Sequence, residues 1–164
     1  MLGRLAPGVA LASMAALVLV GCSPGEPTDE EVAAEVRATF EGFYATVDRQ
    51  FASGTTSARE LEAFATAEMA TVWAADIQAV LDSGQVSRGV LALTNIELTD
   101  VSTDSVSASL CTDGRQIEST DADGRALEPS GLVPWSATFV RDVEGHSLLL
   151  DDLQPTTDDS VCGA

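Results

Sequence analysis

The amino-acid sequence predicts an α+β fold in which N-terminal helices pack on a curved, cone-like antiparallel sheet. Two observations support this prediction. Apolar residues recur every three or four positions up to about residue 84, which is the spacing of amphipathic helices. From residue 85 onwards, β-branched residues alternate with polar ones between turn signals, as in antiparallel strands. Helices followed by strands indicate segregated layers around one core.

The first predicted helix begins after Thr28 and ends near Gly54. Thr28 and Glu31 have the spacing of a capping box, and the acidic first turn favours the helix dipole. Gly54 supplies a C-terminal stop. The apolar stripe between these ends predicts a helix of about six turns and contains Val32, Val36, Phe40, Phe43, Val47 and Phe51.

A second helical stretch opens with a capping box at Ser57 and ends at Gly84. The phase of its apolar residues drifts near Thr66, which indicates two helices that meet there. The residues with helical spacing are Leu61, Phe64, Met69, Val72, Trp73, Ile77, Val80 and Leu81.

Five strands are predicted after the helices, at residues 86–98, 105–110, 116–119, 134–140 and 146–153. A phase slip near Asn95 indicates a bulge in the first strand. The Asp113-Gly114 pair predicts a tight hairpin that joins the second strand to the third. Pro134 fits the start of the fourth strand, where a missing backbone donor is tolerated.

The N-terminal segment has the layout of a secretory signal peptide. Arg4 precedes an apolar stretch, Leu5 to Val20, and the small residue Gly21 follows at the predicted cleavage site. This stretch has 16 residues and contains Pro7 and Gly8, so it is short of the ~20 residues that a membrane-spanning helix needs. The run Leu19-Val20-Gly21-Cys22 resembles the lipobox of bacterial lipoproteins, in which the cysteine thiol carries diacylglycerol and becomes the first residue.

This resemblance implies three segments. Residues 1–21 are the signal peptide, cleaved between Gly21 and Cys22; residues 22–27 are the lipidated cysteine and a short tether; residues 28–164 are a single α+β domain. Diacylglycerol and a palmitate-type acyl chain on Cys22 would then hold the domain at the outer face of the cytoplasmic membrane. An ordinary signal peptide or a membrane helix with an incidental cysteine is the alternative.

The composition of the mature chain restricts its partners. Removing residues 1–21 from 164 leaves 143 residues, enough for one domain with a core. These contain 26 acidic residues and seven of the eight arginines, which gives a formal charge of −19. Because so acidic a surface cannot neutralise phosphates, nucleic acid is excluded, as is an electrostatic attachment to anionic lipid. The absence of lysine beside eight arginines, with abundant alanine, valine, aspartate and threonine, resembles the composition of a high-GC actinobacterium or one of its phages.

Two cysteines remain once Cys22 carries the lipid. In an exported chain a pair such as Cys111 and Cys162 most often forms a disulfide, and two free thiols are the alternative. The single histidine, His146, and the absence of Cys-x-x-Cys spacing predict no metal site, and the sequence indicates no cofactor. The run from Asp121 to Gly124 fits a β-turn better than a calcium loop, because it lacks the distal glutamate.

The predicted order of elements resembles the nuclear-transport-factor-2-like (NTF2-like), or SnoaL-like, cone fold. Val106-x5-Thr112-Asp113, then Asp121 to Arg125 and a C-terminal cysteine, resemble a group of actinobacterial cone-fold lipoproteins. The resemblance implies a pocket between the long helix and the sheet. Its candidate polar residues are Tyr44, Asp48 and Asp76.

We expect binding rather than catalysis, and no catalytic residue is assigned. The sequence has no second histidine, no Gly-x-Ser-x-Gly elbow and no other visible nucleophile. The prediction is a lipoprotein that binds a small apolar ligand or an envelope protein partner. Two alternatives remain: a cone-fold enzyme of the hydrolase, isomerase or dehydratase type that acts on lipophilic molecules, and a prophage-type lipoprotein that affects phage infection. The sequence does not decide whether the domain forms a homodimer through the sheet.

Overall fold

Three helices precede the sheet in the computed structural model, which describes residues 27–163. They are α1 (Asp29–Ser53), α2 (Ala58–Leu61) and α3 (Ala67–Asp82). The predicted signal peptide, its cleavage site at Gly21 and the lipidated Cys22 lie outside the described residues. No helix within the described residues is long and apolar enough to cross a membrane.

The predicted ends of α1 are confirmed. Thr28 Oγ1 accepts a hydrogen bond from Glu31 N (3.3 Å), and the Glu31 carboxylate accepts one from Thr28 N (2.8 Å), so the capping box is confirmed. Gly54 ends α1 in the left-handed region, with φ at 69°, where a residue without Cβ is unstrained. The predicted interruption is also confirmed, because Thr66 is the N-cap of α3.

The strands form two antiparallel sheets. They are β1 (Val86–Arg88), β2 (Ala92–Val101), β3 (Ser105–Asp113), β4 (Glu118–Thr120), β5 (Leu132–Arg141) and β6 (Leu148–Pro155). The larger sheet has the order β2-β3-β5-β6, and the smaller one pairs β1 with β4. A 3₁₀ helix at Ser160–Cys162 follows the last strand.

Two strand predictions were wrong. The predicted strand 86–98 is two strands, because the chain changes direction at Gly89 (φ 125°) and β1 leaves the larger sheet. The hairpin predicted at Asp113-Gly114 does not form, since β3 pairs with β2 and β5 whereas β4 pairs with β1. Local turn residues do not determine which distant strand becomes the partner. The bulge is confirmed by a register shift between Leu93 and Asn95.

The core lies between α1 and the inner face of the larger sheet. Phe40 and Phe43 on α1 and Leu110 and Phe139 on the sheet are fully buried. The predicted stripe of α1 therefore faces the sheet. Val72 on α3 was predicted to belong to the apolar face of the helix, and this prediction was wrong because Val72 is 53% exposed. It lies about 100° around the helix from its half-buried neighbour at position 73.

Two connections hold α1 and the C-terminal segment to the sheet. The predicted disulfide is confirmed: Cys111 on β3 bonds Cys162, with 5.1 Å between the Cα atoms. On the opposite face of the sheet, Glu35 on α1 accepts hydrogen bonds from Arg141 Nη1 (3.1 Å) and from Leu148 N (2.9 Å). These bonds fix the position of α1 relative to β5 and β6.

Candidate functional site

A cavity of about 610 Å³ opens between the C-terminal half of α1, α3, β1 and Ile117, the residue that precedes β4. We refer to it as the main cavity because of its apolar wall; a more polar groove beside the N-terminal end of α1 is larger, at about 1150 Å³. Its volume lies within the range of small-molecule sites in proteins. Most of its wall is apolar and includes Phe51, Trp73, Val80, Leu91, Ile117 and Trp135.

The structure brings two of the three predicted pocket residues together. Tyr44 and Asp48 are one helical turn apart on α1, and both line the main cavity. Asp76 is exposed on α3 and does not line the cavity. Its neighbour Ile77 is the residue that turns inward, at 1% exposure.

Tyr44 belongs to an aromatic cluster, of which Tyr44 itself and Trp73 line the main cavity. Its ring centroid lies 4.7 Å from that of Phe40, 5.7 Å from Phe43 and 5.6 Å from Trp73. The ring is almost buried, but the hydroxyl makes no hydrogen bond to a described residue. Since none of the fully buried side-chain N and O atoms described in residues 27–163 lacks a partner, the hydroxyl reaches open space.

The two polar residues of this wall influence each other. Burial raises the pKa of Tyr44 far above its usual 10.0, and the negative charge of Asp48 raises it further. Burial also raises the pKa of Asp48 above its usual 3.8. The arrangement therefore places a phenolic donor beside a half-buried carboxyl group. A carboxylate with a raised pKa in an apolar cavity can bind a donor or serve as a general base.

Most of the other polar side chains of the wall form hydrogen bonds to other residues of the protein. Arg49 donates to the carboxylate of Glu60 (3.4 Å), and the Ser87 and Ser119 hydroxyls share a hydrogen bond of 2.8 Å. Arg88 is exposed at the end of β1 and has no hydrogen bond or ion pair of its side chain among the described residues. The wall thus has an acidic interior position and a cationic edge.

Trp135 is a wall residue that the sequence reasoning did not assign to the site. Its indole Nε1 donates to Thr112 Oγ1 (2.9 Å), and Thr112 is fully buried. The hydrogen bond holds the indole ring at the cavity surface. The available signal was the alternation of β5, which puts Trp135 on the same face as the buried Ala137 and Phe139.

A second opening adjoins the main cavity. This groove of about 520 Å³ shares Tyr44, Asp48 and Leu91 with it. The polar pair on α1 is therefore reachable from two directions. Within residues 27–163, no group of three or more His, Cys, Asp or Glu side chains is arranged to hold a metal ion.

Comparison with solved structures identifies the fold. A Novosphingobium aromaticivorans protein, provisionally described as an aromatic ring hydroxylase, aligns with a TM-score of 0.53 and 14% identity over 82% of this chain and 99% of that one. For Aln2 from a Streptomyces species the TM-score is 0.50, with 18% identity over 84% and 97% of the two chains. A Streptomyces avermitilis protein, provisionally described as a dehydratase from the NTF2-like family, gives 0.48, with 14% identity over 79% and 99%. The chain shares the fold of the first two of these proteins.

These similarities show the fold alone, because sequence identity is low throughout. No protein-family model matches the chain, and a search of curated proteins finds no significant match. The predicted fold class, helices on a curved antiparallel sheet with one disulfide, is confirmed.

Proposed function

We propose that this protein is a lipid-anchored extracytoplasmic protein that binds a small apolar molecule in the main cavity. The observation that carries the proposal is the cavity of about 610 Å³ with its mainly apolar wall. Transfer of apolar surface from water to such a wall is favourable by roughly 25 cal/mol per Å². Two indole rings, those of Trp73 and Trp135, supply flat surface against which a ring system can pack.

The anchoring part of the proposal is supported by the lipobox-like run that ends at Cys22. It also has a geometric consequence. An α-helix rises 1.5 Å per residue, so Tyr44 lies about 24 Å along the axis of α1 from its N-cap, Thr28. A lipid on Cys22 would therefore join the chain ahead of the N-terminal end of α1, whereas the cavity lies along the C-terminal half of that helix.

Ligand binding can be measured without a label, because the only two tryptophans of the chain line the cavity. We expect pentylbenzene to change the tryptophan fluorescence of the full-length processed protein in a saturable way. Ala52→Phe should weaken binding, since Ala52 lines the cavity. Ala75→Phe is the matched control, because Ala75 is exposed on α3 outside the cavity. A titration without saturation, or equal effects of the two variants, would contradict the binding proposal.

Anchoring is tested separately with Cys22→Ala. The protein without substitutions should fractionate with membranes and carry the mass of an acylated N-terminus. The Cys22→Ala variant should lose both properties. Ser23→Ala should retain both and serves as the control. Acylation or stable membrane attachment of Cys22→Ala would refute the anchor and leave the binding proposal unaffected.

A second candidate function, catalysis on a small lipophilic molecule, is favoured by one observation. Asp48 is a half-buried carboxylate with a raised pKa, beside the phenol of Tyr44 and inside an apolar cavity. This is the environment of a general base. Turnover of an epoxide, ester or ketone that Asp48→Asn abolishes would support an enzyme. Turnover that persists in Asp48→Asn would assign it to another residue or to a contaminant.

A further inference from the structure

The polar groups of the main cavity differ in whether the protein already satisfies them. The guanidinium of Arg49 is engaged by Glu60, and Ser87 by Ser119. By contrast, the Asp48 carboxylate accepts no hydrogen bond and forms no ion pair among the described residues. A polar group kept in an apolar wall without a partner costs stability, and a bound ligand can supply that partner.

The surroundings of Asp48 favour a cationic partner. The rings of Tyr44 and Trp73 lie next to each other, with centroids 5.6 Å apart, and both line the cavity with Asp48. Aromatic faces attract ammonium groups within about 6 Å, and the attraction is stronger where water is excluded. A carboxylate combined with two such rings is complementary to an organic cation.

The electrostatic field of the whole molecule also favours a cationic ligand. The chain has a formal charge of −18 at pH 7, which raises the local concentration of cations and repels anions. The one cationic wall group without a described partner, Arg88, is exposed at the end of β1, where water and salt screen its charge. The net charge of the whole molecule therefore favours a cation over an anion.

From these observations we propose that the ligand of the main cavity is a lipophilic amine, bound as its ammonium form to Asp48 and against the rings of Tyr44 and Trp73. The inference rests on the proposed binding function. It also defines the orientation of the ligand in the cavity. The apolar part of the molecule packs against Ile117, Val80 and Trp135, and the ammonium group lies on the α1 side.

Three probes of matched size test the inference: 4-phenylbutylammonium, pentylbenzene and 5-phenylpentanoate. They place a cation, a methyl group or a carboxylate at the same end of one chain. Dissociation constants are measured by tryptophan fluorescence on the full-length processed protein at low salt. We expect the ammonium probe to bind on the order of tenfold more tightly than pentylbenzene, because charge-assisted hydrogen bonds have about this effect, and the carboxylate to bind most weakly.

The matched variants are Asp48→Asn and Asp76→Asn. Asp48→Asn should reduce the ratio of the ammonium and pentylbenzene affinities to about one, whereas Asp76→Asn should leave the ratio as it is, because Asp76 lies outside the cavity. Thermal melting of each variant verifies its fold.

Four outcomes overturn the inference: equal affinities for the ammonium probe and pentylbenzene, tightest binding of 5-phenylpentanoate, survival of the ammonium preference in Asp48→Asn, or loss of that preference in Asp76→Asn. In each of these cases the protein still binds an apolar molecule, so the proposed function stands. If none of the three probes binds, the proposed function itself fails.

Discussion

At the scale of single residues, Asp48 combines properties that stability alone does not explain. Its carboxylate is half-buried, accepts no described hydrogen bond and lies beside Tyr44, whose pKa it helps to raise. Elsewhere in the described chain, carboxylates in comparable positions have partners, as Glu35 has in Arg141 and the Leu148 amide. Residues that reduce stability where they stand are typical of functional sites.

Asp48→Asn should therefore stabilise the unliganded protein at neutral pH. Because the folded-state pKa of Asp48 is raised, its contribution is favourable below the ordinary pKa of 3.8 and is lost as the pH rises through the folded-state value. Asparagine stays neutral throughout. We expect a melting temperature a few degrees higher at neutral pH and no difference below the ordinary pKa. A variant that melts at a lower temperature at neutral pH would show that the carboxylate has a structural partner.

At the scale of elements, the β1–β4 pair positions Ser87, Arg88 and the adjoining Ile117 in the wall of the cavity opposite α1. Gly89 is the corner at which the chain leaves this pair for the larger sheet. Its φ of 125° is one that residues with a Cβ rarely adopt, and a Cβ there would overlap the carbonyl oxygen of Gln116 on the way to β4. The close approach of the two segments thus depends on glycine at this position.

We expect Gly89→Ala to lower the free energy of unfolding by about 1–3 kcal/mol and to weaken pentylbenzene binding. Gly124→Ala is the matched control, since Gly124 also has a positive φ (79°) but no atom within 4 Å of the position of a Cβ. Its cost should be limited to about 1 kcal/mol of backbone strain, without an effect on binding. The free energies of unfolding of both variants are to be measured by urea denaturation. Equal losses in the two variants would show that the contact with Gln116 is unimportant.

The elements also show what sequence reasoning can achieve. The capping box of α1 joins residues three positions apart, so Thr28 and Glu31 reveal it by themselves. The β1–β4 pairing joins Val86 to Thr120 through strands of three residues each, too short for an alternating pattern. The sequence therefore indicated the α1 side of the cavity, with Tyr44 and Asp48, but not the opposite wall, which distant pairing creates.

At the scale of the whole molecule, the disulfide connects the C-terminal segment to the middle of the sheet. Cys111 is fully buried on β3, and its bond to Cys162 closes a loop with a sequence separation of 51 residues. Val161, next to Cys162, is buried as well, and its carbonyl accepts a hydrogen bond from the Asn95 side chain (2.9 Å). The bond and these contacts keep the segment on the outer face of the sheet.

Replacing both cysteines, Cys111→Ala with Cys162→Ala, should lower the free energy of unfolding by about 4 kcal/mol on the chain-entropy model for a loop of this length. The measurement is denaturant unfolding under oxidising conditions. The control is the protein without substitutions after reduction of its disulfide, which should show a similar decrease in the free energy of unfolding. An unchanged midpoint in the double variant would mean that the loop is already closed by the packing of Val161.

The two edges of the larger sheet differ from its interior. Edge strand β2 contains two register shifts, at Leu93/Asn95 and at Leu98/Asp100, and edge strand β6 has exposed carboxylates at Asp151 and Asp152. A bulged or charged edge is a poor template for a further strand. At high local concentration, copies of this domain should therefore resist the backbone-to-backbone stacking from which amyloid-like fibrils grow.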